Sequence, residues 1–170
     1  MKKRTTSIAL IVLGLTACLT TVSAGDNSYT PVKQTSDMIT VYIHGIDVRD
    51  GQETLQVDPI QWFEGKAADE QFLKDEPDSG LNGAPDGYYI VNPEKNLETL
   101  EVDPQADVLM QIYDRTGNVL DATTEWNQSV SLEKFNAIYR NNAVVDVSDY
   151  PYHLTLKNGK VIRIVQQFVP

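Results

Sequence analysis

Two histidines, one cysteine and a run of acidic residues are the side chains here whose types could do chemistry. His44 and His153 each fall in an alternating apolar stretch. Brought together they would make a metal pair or a general base; held apart, each is a half-buried strand histidine bonded to a neighbouring group. Spacing alone supplies no ligand geometry, so the second reading is the default. The loop 75–87 carries Asp75, Asp78, Asn82 and Asp86 among glycines, hard oxygen donors of the kind Ca²⁺ takes. It breaks the EF-hand pattern, with Gly80 where a ligand belongs and Tyr89 where the bidentate Glu belongs, so a solvated acidic loop is the expectation and no metal or other cofactor is assigned. The nucleophilic motif G-x-S-x-G is missing from the sequence. The tyrosines are many. Most belong to core and rim packing, while an exposed subset would form a recognition platform for a peptide, a glycan or an envelope protein. The candidate ligand-binding residues are His44, His153, Tyr88 and Tyr152.

Cys18 is the only cysteine of the 170 residues. Lys2, Lys3 and Arg4 form a positive n-region, residues 8–15 form an apolar h-region, and Leu15-Thr16-Ala17-Cys18 has the form of a lipidation site. That run is shorter than the roughly 20 residues a spanning helix needs. Residues 1–24 are therefore read as an export signal, cleaved before Cys18 if the chain is a lipoprotein, and otherwise after Ala24, where Val22-Ser23-Ala24 offers an ordinary cleavage site. The expected location is extracytoplasmic, membrane-bound only through the lipid on Cys18, or secreted. A domain without a further cysteine has no disulfide and must be held by its core. The formal charge is −10, and about −13 without the three signal cations. That sign repels phosphate backbones and excludes nucleic acid as an expected partner.

The elements that must position these residues follow from alternation and turn chemistry. Residues 25–37 are polar and read as a flexible linker; residues 38–170 read as one globular domain. Ile39, Val41 and Ile43 alternate, then the phase shifts at Gly45 to Ile46 and Val48, which predicts a bulge. Asp50-Gly51 predicts a type I′ turn pairing Ile46 with Leu55 and His44 with Val57. Glu53-Thr54-Leu55-Gln56-Val57-Asp58-Pro59 returns as Glu98-Thr99-Leu100-Glu101-Val102-Asp103-Pro104, and each copy reads as a hairpin arm ended by Asp-Pro. Asp58 is then expected to cap a helix, with a second helical piece over residues 66–74 burying Ala68 and Phe72. Strands are expected at 88–91, 97–102 and 108–113, and another short one from Val119-Leu120. Ser131 caps a helix carrying Leu132, Phe135, Ile138 and Tyr139 at helical spacing. Asn158-Gly159 turns the last hairpin, placing Leu156 against Val161, Leu154 against Arg163 and His153 against Ile164.

The order β-β-α-β-β-β-α-β-β has too little helix for parallel crossovers. It predicts an α+β, mainly β fold: a small antiparallel, partly closed, OB-like barrel or curled sheet with two short helices. Three strings carry a resemblance: His44-Gly45-Ile46 through Val57-Asp58-Pro59; Trp62-Phe63-Glu64-Gly65-Lys66-Ala67-Ala68 with Tyr88-Tyr89-Ile90-Val91-Asn92; and the ending from Pro151 through Asn158-Gly159 to Gln166-Gln167-Phe168-Val169-Pro170. The chain resembles a family of exported proteins and lipoproteins of Gram-positive bacteria whose ending is N-G-x-V-x-x-I-x-x-Q-Y-V-P. Phe168 stands where that pattern has Tyr. The resemblance implies a location and carries no activity. Two functions are weighed: a non-catalytic binding or accessory domain of the cell envelope, and an envelope hydrolase using carboxylates or a histidine.

Overall fold

The computed structural model describes residues 32–169. The export signal, Cys18 and the first part of the expected linker lie outside the described residues. Seven strands and two α-helices follow in the anticipated order of types, with Gln128–Val130 an unexpected strand in the place expected for 108–113: β1 Met38–Arg49, β2 Gln52–Glu64, α1 Gly65–Asp75, β3 Tyr88–Val91, β4 Glu98–Met110, β5 Gln128–Val130, α2 Leu132–Tyr139, β6 Pro151–Lys157 and β7 Lys160–Gln166. The ring β1-β2-β4-β7-β6 closes on itself, with β3 and β5 added outside it on β2 and β4. Numbered along the chain, the barrel strands run 1-2-3-5-4-1, an OB-like connectivity. The barrel is closed rather than partly open, and one seam departs from the antiparallel expectation: β4 and β7 are parallel. Chain passes through β5, α2 and β6 before β7 reaches that seam, so no βαβ crossover is needed.

Alternation explains the interior. Val41, Ile43, Leu55, Val57, Val102, Val108, Leu154, Val161 and Ile164 fill it, and Phe135 and Ile138 of α2 join the same core. Ser131 opens α2 as anticipated, its Oγ accepting the Lys134 N–H. Both hairpin turns hold positive φ at both central residues, Asp50 and Gly51, Asn158 and Gly159.

Register differs from the sequence expectation where a residue is inserted. In β1 the bulge falls on His44, so Ile43, not His44, faces Val57; Ile46 does face Leu55. In the last hairpin a shift between Thr155 and Leu156 pairs Leu154 with Ile164 and His153 with Val165, while Leu156 keeps Val161. Neither Asp-Pro ends its strand. β2 runs through Asp58-Pro59, and α1 starts only after Glu64; β4 runs through Asp103-Pro104 and absorbs the separate strand expected at 108–113. Val119–Asp121 is a 3-10 turn and not a strand. Proline survives here because the ladders are interrupted at these points. β2 leaves β4 after Val57 and meets β3 only at Gln61, and the β4–β7 ladder breaks between Val102 and Asp107.

Candidate functional site

The outer face of β1, β2 and β6 gathers the polar and aromatic groups. Alternation that sends Val41, Tyr152 and Leu154 inward sends Thr40 and His153 outward, and these two face each other across the β1–β6 ladder. His153 is nevertheless only 1% exposed. Three neighbours enclose it with hydrogen bonds. Gln167 Oε1 lies 2.9 Å from Nε2, Thr40 Oγ1 lies 2.9 Å from Nδ1, and Gln34 Nε2 lies 3.1 Å from Nδ1. The Gln167 amide donates its own N–H to the Phe168 carbonyl, which turns Oε1 toward the ring. Nε2 therefore carries the proton and Nδ1 accepts, the neutral tautomer. Burial pushes the His153 pKa below the usual imidazole value, against the opposing pull of Gln167 and of the Glu64 charge. Trp62 packs edge-on to this ring at 6.3 Å and stacks on Tyr88 at 4.9 Å, the planes within 10°. Its indole N–H is enclosed with no acceptor among the described residues.

Residues 32–37, the end of the expected flexible linker, are tied down across this face. Gln34 bonds His153, the Asp37 carbonyl accepts the Leu156 N–H, and the Thr35 carbonyl accepts that of Met38.

Asp58 sits beside Tyr42 on the same outer face and is 2% exposed. Its Oδ2 accepts from Asn92 Nδ2 at 2.9 Å, and its Oδ1 from the Asn96 backbone N–H at 2.7 Å. The Asn92 hydrogen bond, helped by the Asn96 N–H and the charges of His44 and Lys95, lowers its pKa against the cost of burial. His44, on the bulge, brings Nε2 to 3.9 Å of Oδ2.

Of the four sequence-proposed binding residues, the structure places Tyr88 and His153 around Trp62 and puts His44 in the separate Asp58 cluster. Tyr152 is no platform residue. It is fully buried, packs against Phe135, donates its hydroxyl to the Val147 carbonyl, and burial raises its pKa well above the ordinary phenol range. Asp75, Asp78, Asn82 and Asp86 are all exposed, and among the described residues no group of three or more His, Cys, Asp or Glu stands close enough to hold a metal. Sequence reasoning passed over Gln34, Thr40 and Gln167. The pair Gln166-Gln167 at the end of an apolar strand was the available signal, since amides there must find buried partners. Among the described residues no helix is long and apolar enough to cross a membrane. Comparison with protein-family models, curated proteins and solved structures finds no match.

Proposed function

We propose that this chain is an exported, lipid-anchored binding or accessory domain of the cell envelope, recognising an envelope protein, peptide or glycan through the outer β1–β2–β3 face, without catalysing a reaction there. The n-region, the h-region and the Leu15-Thr16-Ala17-Cys18 string support export and anchoring, as does the resemblance to exported Gram-positive proteins. One observation carries the binding reading: the enclosed acid-base groups of this face are already committed. His153 is held neutral by an amide oxygen, a hydroxyl and an amide N–H, and Asp58 is spent on Asn92 and Asn96. A general base needs a proton acceptor aimed at substrate, and these are aimed at the fold. What the face offers instead is the half-buried Trp62–Tyr88 stack. The competing hydrolase reading rests on His44, whose ring is 33% exposed beside Asp58.

A photoreactive phenylalanine analogue at position 88 tests the binding reading in intact cells. A discrete adduct that disappears with Trp62→Ala is the expected result. No adduct, or an envelope-hydrolysing activity abolished by His44→Ala, overturns it. For the anchor, labelled palmitate should enter the wild type and not Cys18→Ser, and a processed chain beginning at Gly25 contradicts lipidation.

A further inference from the structure

A second recessed site adjoins the aromatic face beyond His153, on β6, β7 and β4. A pocket of about 510 Å³ is lined by Lys33 and Thr35 of the pinned segment, by Met38, Leu109 and Val165 as an apolar floor, and by Asn127, Thr155 and Arg163. The volume falls within the range of small-ligand sites, roughly 300–1,000 Å³. Its wall exists because Gln34 is fastened to His153, which holds residues 32–35 over the sheet.

Charge is what singles the pocket out. In a chain of net charge −10 its lining holds two cations and no carboxylate. Neither Lys33 nor Arg163 has an ion-pair or hydrogen-bond partner among the described residues. Two carboxylates stand nearby outside the lining. Asp107 is the cross-strand neighbour of Arg163, and Asp37 takes a hydrogen bond from Thr35, which lowers its pKa. A free guanidinium presents a planar fork that fits a carboxylate bidentately. The apolar floor beside it suits one aliphatic side chain, and Thr35, Thr155 and Asn127 can bond backbone amides. A fatty acid would need a longer apolar channel than Met38, Leu109 and Val165 supply.

We propose that this pocket binds the C-terminal end of a peptide, with the terminal carboxylate on Arg163 and Lys33 and an apolar last side chain over Met38 and Leu109. The proposal stands independently of the aromatic face, so a failure here leaves the cross-linking at position 88 unaffected.

The chain has three methionines, Met1, Met38 and Met110, and Met110 is fully buried in the barrel. Methyl-labelled methionine therefore reports the pocket and the core in one NMR spectrum of the processed chain. Acetyl-Ala-Ala-Leu with a free carboxylate should shift the Met38 methyl saturably and leave Met110 in place. The same peptide as its C-terminal amide, or the free acid on Arg163→Gln, should bind at least about ten-fold more weakly, the scale of one lost charge-assisted pair. Arg163 is exposed, so an unmoved Met110 signal certifies the fold of that variant. An unmoved Met38, equal binding of acid and amide, or undiminished binding by Arg163→Gln overturns the proposal. So does a Met38 shift with octanoate and none with the peptide.

Discussion

Asp58-Pro59 and Asp103-Pro104 close two seven-residue strings that differ only at Gln56 and Glu101, yet they live in different places. The two copies lie on neighbouring strands and pair with each other in antiparallel fashion about Leu55 and Leu100, with Thr54 facing Glu101 and Gln56 facing Thr99. The repeat is therefore a local two-fold, one strand answering its own copy. Beyond it the symmetry ends. β2 has a gap between Val57, its last residue on β4, and Gln61, its first on β3. The loop 92–97 leaves β3 and enters β4 across that gap, and the Asp58 carboxylate takes Asn92 and Asn96 from it. A side chain stands in for the missing strand. Asp103 takes no hydrogen bond from a crossing loop among the described residues; it is half-buried and its Oδ1 accepts the nearby Gln105 N–H. The lesson is that Asp-Pro marks where a ladder breaks, and what crosses the break decides what the aspartate is worth.

The largest expected effect separates the leucines at the centre of the pair. Leu55 is fully buried and Leu100 only partly. Leu55→Ala should cost about 3.5 kcal/mol and Leu100→Ala about 1 kcal/mol in urea unfolding; equal costs would break the asymmetry. Asp58→Ala should cost about 3 kcal/mol, for two hydrogen bonds to a carboxylate and the stranded donors they leave. Its lowered pKa means the contribution is present above the unfolded value of 3.8 and is lost as pH falls through the folded one. The deficit of the variant should therefore shrink in strong acid.

His153 sharpens the comparison from a second direction. Its pKa lies below 6.5, so on acidification the unfolded imidazole takes a proton that the folded one refuses. Stability should be level above pH 6.5 and fall as pH drops below it toward the folded value. In His153→Gln, melts at pH 7.5 and pH 5 should differ less than in the wild type; an unchanged difference would show the imidazole exposed. The smallest effect belongs to Asp103→Ala, about 0.5 kcal/mol, the worth of a single local turn bond.

Much of the fold was legible because its signals are local. Asp50-Gly51 and Asn158-Gly159 need positive φ at both positions and have it, and Ser131 caps its helix. The barrel class followed from the element order. Registers were readable from each turn outward until an inserted residue, His44 or the shift at Thr155, broke the count. Asp-Pro misled because proline usually ends a strand, and the sequence does not show that β2 lacks a second neighbour there. The site was legible only in part. His153 and Tyr88 were found by type, but Gln34 reaches His153 from 119 positions away, beyond any local rule. Tyr152 was misassigned because, one residue from His153, it faces the opposite side of the same strand.

The most direct measurement is hydrogen exchange at the Asn96 amide, followed by NMR in the wild type, Asp58→Ala and Asp103→Ala. If the Asp58 carboxylate replaces a strand, Asn96 exchanges slowly in the wild type and in Asp103→Ala, and becomes fast in Asp58→Ala while the barrel core stays protected. Fast exchange at Asn96 in the wild type, or protection that survives Asp58→Ala, would contradict it.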